Sequence, residues 1–332
     1  MSSEQCDACG SKNIETILGN LVHDYTENGK QSAWSYSFLK CNACGMGFIS
    51  PKPSWKRLQT FYSADYGCYN PASGESKSES KSLKYTIAKL RFASTFKKGI
   101  RPKIATALGR VAELLSGRVV SYSLGIPLQL PKDARILELG YGNGNWLLSM
   151  GQLGYKNLHG YDIDANIENK SRLESAGVLV HNGDFLNSAY PDNHFDCVRL
   201  EHVFEHLLEP KAIFKELYRI MKPGGVLVMS FPGINAFSFS LSPQQCALRD
   251  SPRHLYLHTP VSASNILSAA RFKMEGVRQY GIVLLLELTI NNMLKENNLP
   301  PVIHGFALFA PFYNILNLMA RRGEFITVLA SK

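Results

Sequence analysis

The sequence contains little that would direct it to a membrane or an export pathway. Its first residues, MSSEQCDACGSKN, contain no apolar stretch behind a basic start, so no secretory signal is expected and a cytoplasmic location is predicted. A spanning helix needs about 20 mostly apolar residues. The longest uncharged stretch of the C-terminal part, 297–320, contains Pro300, Pro301 and Pro311, which argues against such a helix. Attachment to a membrane surface stays open.

Cysteine is scarce and unevenly distributed. The chain has seven cysteines, four of which form two CxxC pairs. In a reducing compartment, paired cysteines bind metal more often than they form disulfides. The other three, Cys68, Cys197 and Cys246, stand apart and are interpreted as packing residues.

The two CxxC pairs predict a zinc-ribbon-like module over residues 1–70. Each pair is followed directly by a glycine, which permits the tight turn of a metal-binding knuckle. The strand-like segment WSYSFLKC lies between the pairs, as expected for a hairpin between two knuckles. Four thiolates favour tetrahedral Zn²⁺ in a closed, structural site. The predicted ligands are Cys6, Cys9, Cys41 and Cys44.

The net charge of +9 on 332 residues is concentrated in one region. Residues 77–135 hold thirteen Lys or Arg against three acids. Residues 71–130 are predicted to form a polar linker (71–82) and then a connector of basic helices. The basic side chains could face phosphates of a nucleotide, a nucleic acid or a lipid, or they could be a solvated helical face.

From residue 131 onward, short apolar runs alternate with helical segments. ARILELG, NLHGYDI, VLVHNGDF, FDCVRLEHV and VLVMSFP are predicted strands, and the segments between most of them have helical periodicity. Strands that alternate with helices indicate an α/β fold with a parallel sheet covered on both faces. Residues 131–332 are therefore predicted to be one Rossmann-like domain.

A glycine-rich turn, ELGYGNG, follows the first of these strands. Its spacing is GxGxG rather than the GxGxxG of a dinucleotide fingerprint. Glycine in this turn lets the backbone approach a ligand at the helix N-terminus. Asp162 ends the second strand, where a carboxylate can accept hydrogen bonds from both hydroxyls of a ribose. Asp184 follows the third strand and could meet an adenine edge. Together these turns would surround an adenosine-like molecule.

The segment from about Pro131 to Phe272 resembles a class I S-adenosylmethionine-dependent methyltransferase of the small-molecule type. The resemblance implies a last antiparallel strand at GEFITVLASK, and S-adenosylmethionine as cofactor. The usual small residue of the glycine loop is replaced by Tyr141. The cofactor-binding positions carried over are Glu138, Gly140, Gly142, Gly144, Asp162, Ile163, Asp184 and Phe185.

Two histidine-containing segments supply candidates for a catalytic base. LEHVFEHLLEP follows the fourth strand and PRHLYLHTP lies further on, and both resemble a subfamily with EHL and HL-aromatic-TP motifs. Methyl transfer to a hydroxyl or an acidic carbon requires a base. The order of preference is His206, His254 and His202, although each could be a structural hydrogen-bonding residue. Glu205 could orient a histidine or cap a helix.

The acceptor is predicted to be a small molecule or a glycan precursor, for example a nucleotide-linked sugar. The N-terminal segment resembles modules of polysaccharide-pathway and sugar C-methyltransferases, and its aromatic residues Phe61, Tyr62, Tyr66 and Tyr69 could wall a sugar pocket or pack on the large domain. An RNA methyltransferase is the second hypothesis, although the Asn-Pro-Pro motif of amine-modifying enzymes is absent after strand four. A non-catalytic scaffold that retains the fold is the third. The sequence does not predict an oligomeric state.

Overall fold

The computed structural model describes residues 4–27, 30–61, 83–94, 97–116, 122–163, 167–302, 306 and 309–332. The predicted linker at 71–82, Cys68 and the aromatic residues Tyr62, Tyr66 and Tyr69 lie outside the described residues. Within the described ranges, no helix is both long enough and apolar enough to span a bilayer.

The N-terminal segment forms three strands and a short helix. They are β1 (Ile14–Glu27), β2 (Lys30–Cys41), β3 (Gly47–Ser50) and α1 (Trp55–Gln59). The strands pair in antiparallel fashion, and the WSYSFLKC segment lies in β2 as the sequence predicts. The Ser54 hydroxyl begins α1 by accepting a hydrogen bond from the Arg57 amide.

Three helices follow where the basic connector was predicted: α2 (Leu83–Arg91), α3 (Ile100–Ser116) and α4 (Tyr122–Gly125). Ile87 of α2 is buried in the core beside the large sheet. In contrast, Ile104, Leu108 and Val111 form an apolar stripe on α3 that is more than half exposed. The helical spacing was visible in the sequence, but the stripe does not face the core.

The remaining elements follow in chain order: β4 (Arg135–Leu139), α5 (Asn145–Gln152), β5 (Asn157–Asp162), α6 (Ile167–Ser175), β6 (Leu179–Asn182), β7 (Phe195–Glu201), α7 (Pro210–Ile220), β8 (Met221–Pro232), α8 (Phe237–Leu241), β9 (Tyr256–Leu257), α9 (Pro260–Ala269), β10 (Lys273–Tyr280), α10 (Val283–Glu296), α11 (Ala310–Ala320) and β11 (Phe325–Ser331). Seven of these strands form one sheet, in the order β10-β11-β8-β7-β4-β5-β6.

The large sheet is mostly parallel, and its last strand in the chain is antiparallel. β4 pairs in parallel with β5 and β7, and β6 and β8 continue the parallel arrangement on either side. β11 lies antiparallel between β8 and β10. The predicted Rossmann-like arrangement is confirmed. The chain reverses its direction of strand addition at β4, so the loops after β4 and β7 border a crevice where such folds bind ligands.

The second, smaller sheet is completed by a strand from the large domain. Its order is β1-β2-β3-β9, and β9 lies in the PRHLYLHTP segment, with Gly47 opposite Leu257. Trp34 and Phe38 share one buried apolar cluster with Leu137 of the large sheet. The N-terminal segment is therefore packed against the large domain. The domain boundaries at residues 70 and 130 stay predictions.

Candidate active site

A cavity of about 640 Å³ opens where the loops after β4, β5, β6 and β7 meet. This volume lies in the range of small-molecule and cofactor sites. Gly144 and His254 are not among the described residues that line it. Nine of the residues predicted from the sequence are: Glu138, Gly140, Gly142, Asp162, Ile163, Asp184, Phe185, His202 and His206.

The glycines of the loop after β4 have left-handed backbone conformations. The φ angles of Gly140, Gly142 and Gly144 are 75°, 53° and 71°. A Cβ on Gly140 would lie 2.3 Å from Val203 Cγ2, and one on Gly144 would lie 2.6 Å from Leu173 Cδ1. Glycine was predicted here so that a ligand could approach the backbone. At Gly140 and Gly144, the packing of the loop itself also requires glycine.

The Asp162 carboxylate connects two of the turns that border the cavity. Asp162 is buried at the end of β5, and its Oδ2 accepts a hydrogen bond of 2.9 Å from the Gly142 amide. The Asp184 carboxylate, in contrast, bonds within its own turn. It caps a short 3₁₀ helix by accepting a hydrogen bond of 3.0 Å from the Leu186 amide. The Phe185 ring packs edge-on against Tyr161 at 5.1 Å.

A buried arginine that was not predicted from the sequence lies at the cavity. Arg199 of β7 pairs with Glu138 and lies 3.2 Å from Glu201 Oε2. Its guanidinium also stacks over the Trp146 ring at 4.4 Å. A charged residue within the apolar strand FDCVRLE was the signal that could have identified it. Glu138 Oε2 is buried and has no hydrogen-bond partner among the described residues.

His202 carries an imidazole into the cavity, and Glu205 holds it there. His202 Nδ1 lies 3.3 Å from Glu205 Oε1, and the residue has a φ of 55°. Burial opposes the charged imidazole, but the hydrogen bond that His202 donates to Glu205 and the charges of Glu205 and Glu201 raise the pKa of His202. Burial by itself would raise the pKa of Glu205. The hydrogen bond that Glu205 accepts from His202 and the nearby imidazoles outweigh burial, and they lower this pKa to about 2.

The other two candidate bases, His206 and His254, lie next to each other. Their rings meet at 4.8 Å between centroids. His206 Nδ1 donates to the Arg253 carbonyl at 2.9 Å, and His254 Nδ1 donates to the Leu248 carbonyl at 2.7 Å. Burial lowers the pKa of His206 to about 4, which leaves its imidazole neutral near pH 7. The structure therefore brings all three predicted histidines around Glu205.

The four predicted zinc ligands lie together. Cys6 Sγ is 3.5 Å from Cys44 Sγ, Cys9 Sγ is 3.6 Å from Cys41 Sγ, and all four sulfurs lie within 4.8 Å of one another. Tetrahedral zinc–thiolate bonds of about 2.3 Å separate sulfurs by about 3.8 Å. The knuckle glycines that follow, Gly10 and Gly45, have a left-handed backbone, with φ of 73° and 74°. The donor set and spacing fit one tetrahedral metal ion.

The N-terminal segment also contributes to the cavity wall. Trp55, Leu58 and Gln59, all from α1, line it beside the residues of the large domain. The sequence carried no signal for this contact, because nothing local in WKRLQ specifies a distant surface. Phe61 is buried and stacks on Trp34 of β2 with 6.0 Å between ring centroids, so this contact lies within the N-terminal segment.

Residues 110–277, half of the chain, match the family described as "Methyltransferase domain". The chain belongs to this family. The predicted Rossmann-like methyltransferase fold is thus confirmed. The subfamily with EHL and HL-aromatic-TP motifs and the N-terminal zinc module remain predictions.

Two curated relatives illustrate the range of the family. A phosphoethanolamine N-methyltransferase from Plasmodium falciparum is 28% identical over 108 residues, which cover 31% of this chain and 41% of that protein. A ubiquinone/menaquinone biosynthesis C-methyltransferase from Neisseria meningitidis is 28% identical over 145 residues, which cover 39% of this chain and 59% of that protein. The chain thus spans less than two thirds of the length of either relative.

A solved structure of an SAM-dependent methyltransferase from Thermotoga maritima aligns with a TM-score of 0.44 and 18% identity. The alignment covers 69% of this chain and 97% of that protein.

Proposed function

We propose that the protein transfers a methyl group from S-adenosylmethionine to a small-molecule or glycan-precursor acceptor. The observation that carries the proposal is the cavity at the ends of β4, β5, β6 and β7, lined by the glycine loop and by Asp162. S-adenosylmethionine supplies an activated methyl group on a sulfonium, so the protein must mainly align the acceptor and exclude water. Membership of the methyltransferase-domain family supports the same conclusion.

The predicted cofactor positions supply complementary chemistry along this cavity. The Asp162 carboxylate would accept hydrogen bonds from ribose hydroxyls, and Ile163 and Phe185 would contact the adenine. Glu138, with one buried oxygen that has no hydrogen-bond partner among the described residues, could accept a bond from the ammonium of the methionine part.

His202 becomes the preferred base for an acceptor that must lose a proton. Its imidazole borders the cavity, and Glu205 holds Nδ1, which leaves Nε2 to face an acceptor. Glu205 would act as a positioning residue. This order differs from the sequence-based preference for His206, because the charged Glu205 carboxylate stabilises the imidazolium that forms on His202, whereas His206 Nδ1 donates to a neutral backbone carbonyl.

The four cysteines are proposed to hold one structural zinc ion. A closed site of four thiolates leaves no open position for a reacting molecule. The ion would instead fix the two knuckles, and with them the sheet that carries α1 to the cavity wall.

Small-molecule acceptors are favoured by the relatives, which are named for phosphoethanolamine and for ubiquinone/menaquinone biosynthesis. Incubating cell extract with the protein and isotopically labelled S-adenosylmethionine, followed by mass spectrometry, tests the acceptor class. Label in a small molecule, a sugar nucleotide or a polysaccharide supports the proposal. Label in RNA would replace it with the second hypothesis. A protein that neither labels a product nor binds the donor would be a scaffold.

Asp162→Ala tests the cofactor assignment directly. Loss of hydrogen bonds to a charged acceptor, worth about 1.5–3 kcal/mol each, should weaken S-adenosylmethionine binding at least about tenfold in calorimetry. Asp192→Asn, which changes an exposed acid away from the cavity, is the matched control and should bind as the wild type does. Unchanged affinity of a folded Asp162→Ala variant would refute the ribose assignment.

A further inference from the structure

Glu205, His206 and His254 form a cluster whose geometry suggests more than proton transfer. One ligand atom from each residue lies within 4.8 Å of those of the other two. Glu205 and His206 come from the loop after β7, and His254 comes from the segment that precedes β9. Two imidazoles and one carboxylate are a ligand set that binds divalent transition metals with coordination positions left open.

The two imidazoles are held in the tautomer that a metal requires. His206 Nδ1 and His254 Nδ1 each donate to a backbone carbonyl, at 2.9 Å and 2.7 Å, so the neutral form of each ring has its lone pair on Nε2. His254 Nε2 lies 3.9 Å from Glu205 Oε1. Metal-binding histidines characteristically donate their other ring N–H to a carbonyl or carboxylate in this way.

The Glu205 carboxylate provides a second, independent observation. Glu205 is fully buried, and while Oε1 lies near His202, Oε2 has no hydrogen-bond partner among the described residues. A buried carboxylate oxygen without a partner is unfavourable. A cation bound by this carboxylate and the two imidazoles would compensate its buried charge, whereas the His202–Glu205 pair alone leaves Oε2 without a partner among the described residues.

We propose that Glu205, His206 and His254 bind one divalent transition-metal ion, such as Mn²⁺, Fe²⁺ or Zn²⁺, beside the cavity. Imidazole ligands favour these ions over Mg²⁺ and Ca²⁺. Because His206 also lines the cavity, the ion would coordinate an oxygen-rich acceptor, such as one with vicinal hydroxyls, a carboxylate or a phosphate. That role rests on the proposed methyl transfer, but the metal site itself does not.

Mn²⁺ is the probe that tests the site, since it prefers nitrogen and oxygen ligands and leaves a four-thiolate site to zinc. The protein is supplied with one equivalent of zinc, which the four thiolates bind first, and is then titrated with Mn²⁺ while electron paramagnetic resonance follows the signal of the free ion. One Mn²⁺ should bind per chain. Glu205→Gln and His254→Gln should each weaken binding at least about tenfold. His181→Gln, which changes an exposed histidine of β6, should not.

Absence of a bound Mn²⁺ in the wild-type protein, with zinc at no more than one ion per chain, would overturn the site. Unchanged affinity in a folded variant of either ligand would overturn it as well. If one variant fails to fold by circular dichroism, the other decides. Calorimetry with S-adenosylmethionine on the same samples separates the two proposals: metal binding without donor binding removes the proposed function only, and the reverse removes the metal site only.

Discussion

Arg199 neutralises two acidic side chains at the cavity. It contacts Glu138 and Glu201, and its planar guanidinium also covers Trp146. Burial lowers the pKa of Arg199, but a guanidinium stays protonated at any pH at which the protein is folded. Removal of this one side chain would leave both carboxylates without the cation that they share at the cavity wall.

Arg199→Met should lower the free energy of unfolding by about 3 kcal/mol, because it leaves two carboxylates without their buried partner. Lys222→Met is the matched control, since Lys222 pairs with Asp196 at 2.7 Å at a half-exposed position and should lose less than about 1 kcal/mol. Urea denaturation measures both. Equal losses in the two variants would contradict the importance assigned to burial.

At the scale of elements, the connection between β4 and α5 determines the shape of the cavity floor. Gly144 caps α5 in a left-handed conformation, and the Leu173 side chain of α6 packs against it. The loop is thereby held between a strand, its own helix and the next helix. A loop supported on three sides keeps its amides in place for a ligand without reorganisation.

Gly144→Ala should destabilise the protein more than Gly154→Ala. Both glycines have positive φ, which costs an alanine about 1–2 kcal/mol. Only at Gly144 would the new Cβ also meet a side chain at 2.6 Å, whereas at Gly154 nothing lies within 4 Å. Overpacking should add about 1–3 kcal/mol in urea denaturation. If the two variants were equally stable, the contact with Leu173 would be irrelevant.

At the scale of the whole molecule, the cysteine knuckles are connected to the cavity by a short series of hydrogen bonds. The Thr259 hydroxyl donates to the Cys44 carbonyl at 2.6 Å, and the Ile49 amide donates to the Leu255 carbonyl at 3.0 Å. The Leu255 amide in turn donates to the Glu205 carbonyl at 2.8 Å. The loop that carries the histidines and the segment that carries the proposed zinc site are therefore both hydrogen-bonded to the residues on either side of β9.

Release of the proposed zinc with a mercurial should therefore affect the whole molecule. The melting temperature should fall by several degrees in a single transition, since the small sheet and the large sheet share one apolar cluster. Affinity for S-adenosylmethionine should fall with it, because α1 lines the cavity. Excess thiol with zinc should restore both. Zinc release that leaves melting and affinity unchanged would show that the knuckles are independent of the cavity.

Local patterns predicted the strands from β4 to β8 and the grouping of the cysteines, because these depend on short-range features: hydrophobic periodicity, turn glycines, or the CxxC spacing. The antiparallel β11 was implied by the family resemblance. Local patterns could not predict which histidine borders the cavity. His206 and His254 are adjacent only because the segment before β9 folds back onto the loop after β7, and no local pattern specifies that return.

The order of residues by itself determined the α/β alternation, the glycine turn, the acid at the end of β5 and the knuckle pairs, since neighbours along the chain decide periodicity and turn geometry. Only the tertiary structure decided that β9 completes the N-terminal sheet, that α1 closes the cavity, and that Glu205 lies among three histidines. These contacts join segments far apart in the chain. Their stability comes from burying apolar surface jointly, which is a property of the packed molecule rather than of any one segment.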